Sequence, residues 1–162
     1  MIRKEDSIGH WVSVLYRYGQ IYVGKKMQPY GIGKGQFMFL IKLFQRDGLC
    51  QEELTEILNV DKGTTARALR KLEQEGYIIR EKSQGDRRSN RVFLTAKARD
   101  IEPRIFTVLS DWTEILATGF TSEEKQQVLR LLEKMANNAA KYTKLKRNYR
   151  ALFSQKGVDK GL

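Results

Sequence analysis

The chain has 162 residues, 41% hydrophobic and 30% charged, which is typical of one folded domain and excludes an intrinsically disordered chain. The formal net charge of +11 favours a polyanionic partner, with nucleic acid first and an anionic membrane surface second. A single cysteine excludes an internal disulfide, and the apolar runs are too short to cross a membrane, so we expect a cytoplasmic protein without a membrane span.

The first third of the chain is predicted to form two helices. Apolar residues recur at helical spacing over residues 7–27 and again over residues 34–46. Proline and glycine residues interrupt the chain between these helices. The glycine-rich loop 31–35 precedes a helix, so a phosphate site is conceivable there, but no strand comes before it and a plain turn is favoured.

A helix–turn–helix is predicted in the middle of the chain. Residues 51–58 form its first helix. Asp61 is expected to cap the second helix, because its carboxylate can accept hydrogen bonds from the free N–H groups of the first turn. That helix ends near Glu75, where Gly76 is typical of a helix C-terminus. Its inner side carries the apolar residues Ala68, Leu69 and Leu72.

A small β-hairpin and two long helices are predicted to follow. Residues 77–80 and 91–94 have the composition of two strands joined by a polar turn. A long amphipathic helix is predicted over residues 95–118. Thr121 and Glu124 then have the spacing of a capping box, in which each side chain bonds the other residue's backbone at the start of the last helix.

Basic and hydroxyl side chains cluster on two predicted surfaces. In a helix–turn–helix, the second helix enters the major groove of DNA while the first braces it. Arginine can pair with guanine there, and threonine can contact a thymine methyl group or a phosphate. The outer residues of the second helix are predicted to be Lys62, Thr64, Thr65, Arg67, Arg70 and Lys71. The hairpin tip adds Arg87, Arg88 and Arg91, whose like charges indicate an anionic partner. Asp86 lies two residues before Arg88 and could hold its guanidinium in place.

Other functions fit the sequence less well. A charged helix face can simply be solvated, and a basic winged helix can also bind RNA or a protein. The outer face of the second helix has no aromatic residue for base stacking, which favours duplex DNA. An enzyme is not expected, because no nucleophile elbow or His-Glu metal motif occurs. No ligand cluster surrounds His10, so no metal or other cofactor is expected, and Cys50 is interpreted as a small buried apolar residue.

Residues 54–95 resemble the multiple-antibiotic-resistance regulator (MarR) family. The matching stretches are residues 61–73, residues 76–80, and Asp86-Arg87-Arg88 followed by Leu94-Thr95. The resemblance implies a mainly α fold with a small β-hairpin wing, in which long N- and C-terminal dimerisation helices flank a winged helix-turn-helix. It also implies a homodimer that regulates transcription, most simply as a repressor. Its recognition helix would lie in the major groove, and Arg88 would enter the minor groove beside Asp86.

The resemblance also suggests domain bounds and an effector site. Residues 1–32 would form the N-terminal dimerisation helix, 33–94 the DNA-binding lobe, 95–146 the C-terminal dimerisation helices and 147–162 a basic tail. Apolar residues that would need a partner are Trp11, Leu15, Trp112, Ile115, Leu132 and Met135. Family members commonly respond to a small aromatic or anionic ligand, for which the candidates here are His10, Trp11, Arg17, Tyr18, Tyr30 and Phe37. Core packing explains these aromatic residues more simply.

Overall fold

The structure, a computed structural model, describes residues 7–82 and 90–143. A first compact unit ends at Trp112 and a second begins at Thr113. The elements are, in chain order, α1 (Ile8–Met27), a 3₁₀ turn (Gln28–Tyr30), α2 (Gln36–Gln45), β1 (Leu49–Cys50), α3 (Gln51–Leu58), α4 (Lys62–Gln74), β2 (Ile78–Lys82), β3 (Asn90–Leu94), α5 (Ala96–Leu116) and α6 (Ser122–Tyr142). This order confirms the mainly helical fold with a β-hairpin that the sequence predicts.

Local capping residues set the ends of several helices. Asp61 accepts the backbone N–H of Thr64 at 2.8 Å, so α4 begins where the sequence predicts. The capping box at α6 is also confirmed, since the Thr121 hydroxyl accepts from Glu124 N at 3.2 Å and the Glu124 carboxylate accepts from Thr121 N at 2.7 Å. These interactions span three residues, which is why they can be read from the sequence.

The sheet has three antiparallel strands in the order β1-β3-β2. Strand β2 pairs with β3 over five residues, from Ile78 opposite Leu94 to Lys82 opposite Asn90. Strand β1 is only two residues long, with Leu49 opposite Val92. A two-residue strand has no period of its own, so the sequence did not predict β1, and only its pairing with β3 defines it.

The buried core of the first unit is built around α2. Its other contributors come from α1, α3, α4, the sheet and the first half of α5, and the core includes Met27, Leu40, Leu43, Leu54, Leu69, Leu72, Val92, Ile101, Ile105 and Val108. Because α5 buries three of these side chains, its first half packs with the helix–turn–helix lobe. The predicted domain bound between residues 94 and 95 stays a prediction, whereas the compact unit continues to Trp112.

Two polar side chains have roles that the sequence did not indicate. Cys50 is half-buried and caps α3, since its Sγ accepts from Glu53 N at 3.5 Å, so it is more than the apolar filler we expected. Burial raises the pKa of the Cys50 thiol, which disfavours the reactive thiolate. Asp47 connects three segments, because its carboxylate accepts from Gly48 N, from Leu94 N and from the Arg99 guanidinium at 3.0 Å each.

Neighbouring isoleucines in β2 provide a matched test of the core. Ile78 is 1% exposed and Ile79 is 47% exposed. Ile78→Ala should lower the free energy of unfolding by about 2–5 kcal/mol, because it leaves a cavity in the core. Ile79→Ala has the same change in strand propensity without the cavity, so it should cost under about 1 kcal/mol. Urea denaturation measures both, and equal losses would contradict this assignment of the two faces.

The buried Lys42 predicts a pH dependence of stability. Its side chain is 2% exposed and donates to the Gln45 amide oxygen at 2.8 Å. Burial lowers the pKa of Lys42 from 10.5 to about 8. The unfolded chain therefore holds this proton over a range in which the folded chain has lost it, and stability rises with pH wherever the unfolded state binds more protons.

The Lys42→Met variant isolates this effect. Relative to that variant, the parent's free energy of unfolding should be constant below pH 8 and rise between pH 8 and 10.5. Paired denaturant titrations across that range would measure the difference. A constant difference would show that the folded protein does not hold Lys42 with a lowered pKa.

Candidate nucleic-acid interface

Helix α4 has a buried inner face and a basic outer face. Ala68, Leu69 and Leu72 lie in the core, as the sequence predicts. Arg67 and Arg70 are exposed on the opposite side, three residues apart and therefore adjacent on the helix surface. Exposed Lys62 adds a third cation at the start of the helix. We call the surface formed by Gly63, Arg67, Arg70 and Gln74 the outer face of α4; Lys62 is not part of it, because Lys62 precedes the buried Leu69 by seven residues.

Thr65 does not belong to this outer face. It is fully buried, and its hydroxyl accepts from Thr55 Oγ1 at 2.9 Å and donates to the Asp61 carbonyl at 3.2 Å. The sequence-based placement of Thr65 on the outer side was therefore wrong. Thr65 precedes Ala68 and Leu69 by three and four residues, so helical geometry places it on their face. There it braces α3 against α4 through the Thr55 contact.

A chain of hydrogen bonds orients Arg67 in the first turn of α4. The Asp61 carboxylate accepts both the backbone N–H of Thr64, at 2.8 Å, and the Thr64 hydroxyl, at 2.5 Å. The Arg67 guanidinium then donates to the Thr64 hydroxyl at 3.0 Å. These bonds hold the pKa of Asp61 below its usual value, first through the Thr64 side chain. Arg67 is thus exposed but held over the start of the helix.

Gly63 leaves the space that this arrangement needs. A Cβ atom at position 63 would lie 3.1 Å from Asp61 Oδ1 and 3.3 Å from an Arg67 guanidinium nitrogen. The side chain of any other residue would therefore make close contacts with both the Asp61 carboxylate and the Arg67 guanidinium. This role of Gly63 was not predicted, because nothing in its local sequence pattern distinguishes it from a glycine in an ordinary first turn.

Lys71 follows Arg67 by four residues, so the two are neighbours on the helix surface, but their partners differ. The Lys71 ammonium pairs with Glu75 at 2.6 Å, and Lys71 borders a cavity beside the end of α1 and the loop before α2. Among the residues of α4 that are predicted to contact DNA, Lys71 thus lies nearest to the cavity. Gln74, which is not among the predicted contacts, is exposed and follows Arg67 by seven residues, which places it on the same face. The seven-residue spacing from Arg67 could therefore have identified Gln74 from the sequence.

Of the four residues predicted on the wing surface, the structure describes Arg91. Asp86, Arg87 and Arg88 lie outside the residues that the structure describes. Arg91 lies in β3, and its guanidinium donates to the Gly48 carbonyl at 2.7 Å. Arg91 therefore fastens β3 to the turn before β1, which is a structural role that the sequence did not indicate. A contact between Arg91 and nucleic acid stays a prediction.

The six candidate effector residues differ in burial. Phe37 is 4% exposed and belongs to the core, whereas the other five are exposed. Trp11 contacts His10 edge to face at 5.4 Å, and the Tyr30 carbonyl accepts the Tyr77 hydroxyl at 2.7 Å. None of the six borders the cavity beside Lys71. A ligand site made of these residues stays a prediction.

Metal-binding clusters and membrane-spanning helices are both absent from residues 7–82 and 90–143. Within these ranges, no group of three or more His, Cys, Asp or Glu residues is placed to hold a metal ion. No helix there is both long enough and apolar enough to cross a membrane.

The fold and the basic face of α4 define a winged helix-turn-helix protein, and comparisons place it in a family. Residues 33–89 match the family model described as MarR family. The uncharacterized HTH-type transcriptional regulator YybA of Bacillus subtilis is 33% identical over 105 residues, which are 65% of this chain and 70% of the relative. The chain belongs to the MarR family of transcriptional regulators, as its sequence resemblance indicated.

Solved structures agree with this assignment. A MarR transcriptional regulator from Methanosarcina mazei has a TM-score of 0.80 and 50% identity, covering 83% of this chain and 97% of that one. A MarR protein from Peptoclostridium difficile has a TM-score of 0.81 and 34% identity over 90% of this chain and 97% of its own. The fold alone is shared with a Listeria monocytogenes regulator complexed with 26mer DNA, at a TM-score of 0.75 and 24% identity over 96% of this chain and 99% of its own.

Proposed function

We propose that this regulator binds double-stranded DNA sequence-specifically as a homodimer, with α4 in the major groove and the wing in the minor groove. The observation that carries the proposal is the outer face of α4, where Arg67 and Arg70 are exposed on one side of a helix whose other side is buried. A B-form major groove, about 12 Å wide, accepts a single α-helix. Arginine on such a helix can pair with guanine through two hydrogen bonds.

Exposed apolar surface supports the homodimer. On α1, Ile8, Trp11 and Leu15 are 64%, 52% and 43% exposed. On α6, Val128 and Leu132 are exposed although they are spaced to share one face. Trp112 is only half-exposed, because it stacks on Tyr22 with ring centroids 5.2 Å apart. Apolar stripes of this kind are typical of a surface that a second copy covers.

We also propose that the bound dimer represses transcription and that a small aromatic or anionic ligand relieves it. A dimer bound to an operator that overlaps a promoter would block the access of RNA polymerase to that promoter. Because the target would be genomic DNA, we expect a cytoplasmic location. The shared fold of the Listeria protein crystallised with DNA is consistent with the duplex as partner. The second candidate function, RNA binding, is favoured only by the net charge of +11, because α4 has no aromatic residue for stacking.

Selection from random DNA duplexes at fixed salt tests the proposal. The enriched sites should be pseudo-palindromes with half-sites about 10 bp apart, because a two-fold dimer reads two successive major grooves. Affinity should fall steeply with salt, since each neutralised phosphate adds about −0.9 to the log–log slope. A matched pool of single-stranded RNA is the control. No enriched duplex, or an affinity that does not change with salt, would contradict groove binding.

A further inference from the structure

A cavity of about 480 Å³ lies where the end of α1, the glycine-rich loop before α2 and the second half of α4 meet. Its lining includes Lys25, Gln28, Ile32, Lys34, Gln36 and Lys71, together with three glycines. The volume is within the range of about 300–1,000 Å³ that small-molecule sites occupy. The glycine-rich loop is the segment that the sequence favoured as a plain turn, and α1 and α4 bring two distant lysines to it.

The loop is held in place at several points. Ile32 is fully buried, and its N–H donates to the Met27 carbonyl at 3.4 Å. Gly33 N donates to the Gln36 side chain at 2.8 Å, and Gln36 N donates to the Gly33 carbonyl at 3.1 Å. The stem of Lys34 lies against α1, because a Cβ atom at Gly24 would be 2.8 Å from Lys34 Cγ. A wall fixed in this way does not need to be ordered when a ligand binds.

The charge of the cavity is positive. Lys25, Lys34 and Lys71 line it, and its lining includes no carboxylate. The carboxylate beside it is that of Glu75, which pairs with Lys71 at 2.6 Å. Three ammonium groups against one carboxylate leave an excess of positive charge on a concave surface, and such surfaces concentrate counter-ions. Lysine binds phosphate as a point charge, and a phosphate dianion matches this excess.

We propose that this cavity binds a small phosphate-bearing molecule through Lys25, Lys34 and Lys71, and that binding weakens the hold of α4 on DNA. The regulatory part rests on the proposed function. Lys71 follows Arg67 by four residues, so the two side chains are neighbours on the surface of α4. A dianion bound at Lys71 therefore adds negative charge beside the outer face of α4. It also competes with Glu75 for the Lys71 ammonium. Coupling of this kind is reciprocal, so DNA should weaken ligand binding by the same factor.

Phenyl phosphate is a suitable probe, with benzoate at matched ionic strength for comparison. We expect calorimetry on the full chain without DNA to show binding of phenyl phosphate and none of benzoate. Lys25→Gln and Lys34→Gln should each weaken binding about tenfold, the loss of one hydrogen bond to a charged group. Lys26→Gln is the matched control, since Lys26 is next to Lys25, is exposed and does not line the cavity. No binding, or an equal loss in Lys26→Gln, would overturn the site.

A second arm measures DNA binding at fixed ionic strength. Saturating phenyl phosphate should weaken duplex binding at least about fivefold in the parent and in Lys26→Gln, and much less in Lys71→Gln. If Lys25→Gln and Lys34→Gln weaken duplex binding without any ligand, the lysines hold a DNA backbone phosphate and the small-molecule site is overturned. Phenyl phosphate binding by a protein that binds no duplex would overturn the proposed function while the ligand class of the cavity stands.

Discussion

Arg67→Ala should weaken binding of the preferred duplex by about 1–3 kcal/mol, or roughly 5- to 150-fold, and relax base preference at one position per half-site. The reason is that Arg67 lies on the outer face of α4 with its guanidinium exposed. Arg67→Lys keeps the charge but loses the planar fork, so it should restore only part of the affinity. Titration against a panel of single-base variants measures both effects.

Arg104→Ala is the matched control, because it removes one charge from an exposed arginine on α5. We expect it to leave base preference unchanged. If Arg104→Ala weakens binding as much as Arg67→Ala does, or if Arg67→Ala lowers the affinity for every duplex equally, Arg67 acts only through its charge and does not read a base.

Asp61→Ser tests whether the hydrogen-bond chain positions Arg67. Serine still caps the helix, so α4 should remain folded. Loss of a negative charge near DNA predicts tighter binding by charge alone, whereas loss of the bond between the Asp61 carboxylate and the Thr64 hydroxyl predicts weaker binding and poorer base discrimination. Introduced into the parent protein, Asp61→Ser should weaken DNA binding. Introduced into the Arg67→Ala variant, it should tighten binding, because that variant has no guanidinium for Asp61 to orient. Tighter binding in both backgrounds would show that Asp61 does not orient Arg67.

Leu132→Glu should convert the protein to a monomer and lower the affinity for a two-half-site duplex by about 10²–10⁴-fold. Leu132 is 43% exposed on α6, and a carboxylate buried against a second copy would be strongly unfavourable. Linking two half-site readers makes the second binding step intramolecular, and the loss of that linkage sets the size of the effect. Sedimentation equilibrium should show a mass near 18.8 kDa for the variant and twice that mass for the parent.

Gln126→Glu adds the same charge at an exposed position of α6, away from the apolar stripe, and should remain dimeric. Far-UV circular dichroism shows whether each variant keeps its helices. A folded Leu132→Glu protein that stays dimeric would place the dimer interface elsewhere, and a parent protein that sediments as a monomer would contradict the homodimer itself.

The sequence alone determined the features that depend on neighbours a few residues apart. The caps at Asp61 and Thr121 are hydrogen bonds across three residues. The helix periods follow from side chains three and four residues apart, and they placed Leu69 and Leu72 in the core correctly. The exposed positions of Arg67 and Arg70 follow from the same period. The family motifs also predicted the winged helix-turn-helix, because the order and spacing of motifs are properties of the sequence.

Only the tertiary structure decided the features that join distant segments. Strand β1 exists through its pairing with Val92, and Thr65 became a brace because Thr55 on α3 meets it. The cavity exists because the fold brings Lys71 on α4 to the loop around Gly33. No local propensity encodes such contacts, since their free energy comes from surfaces that meet only after the chain has folded.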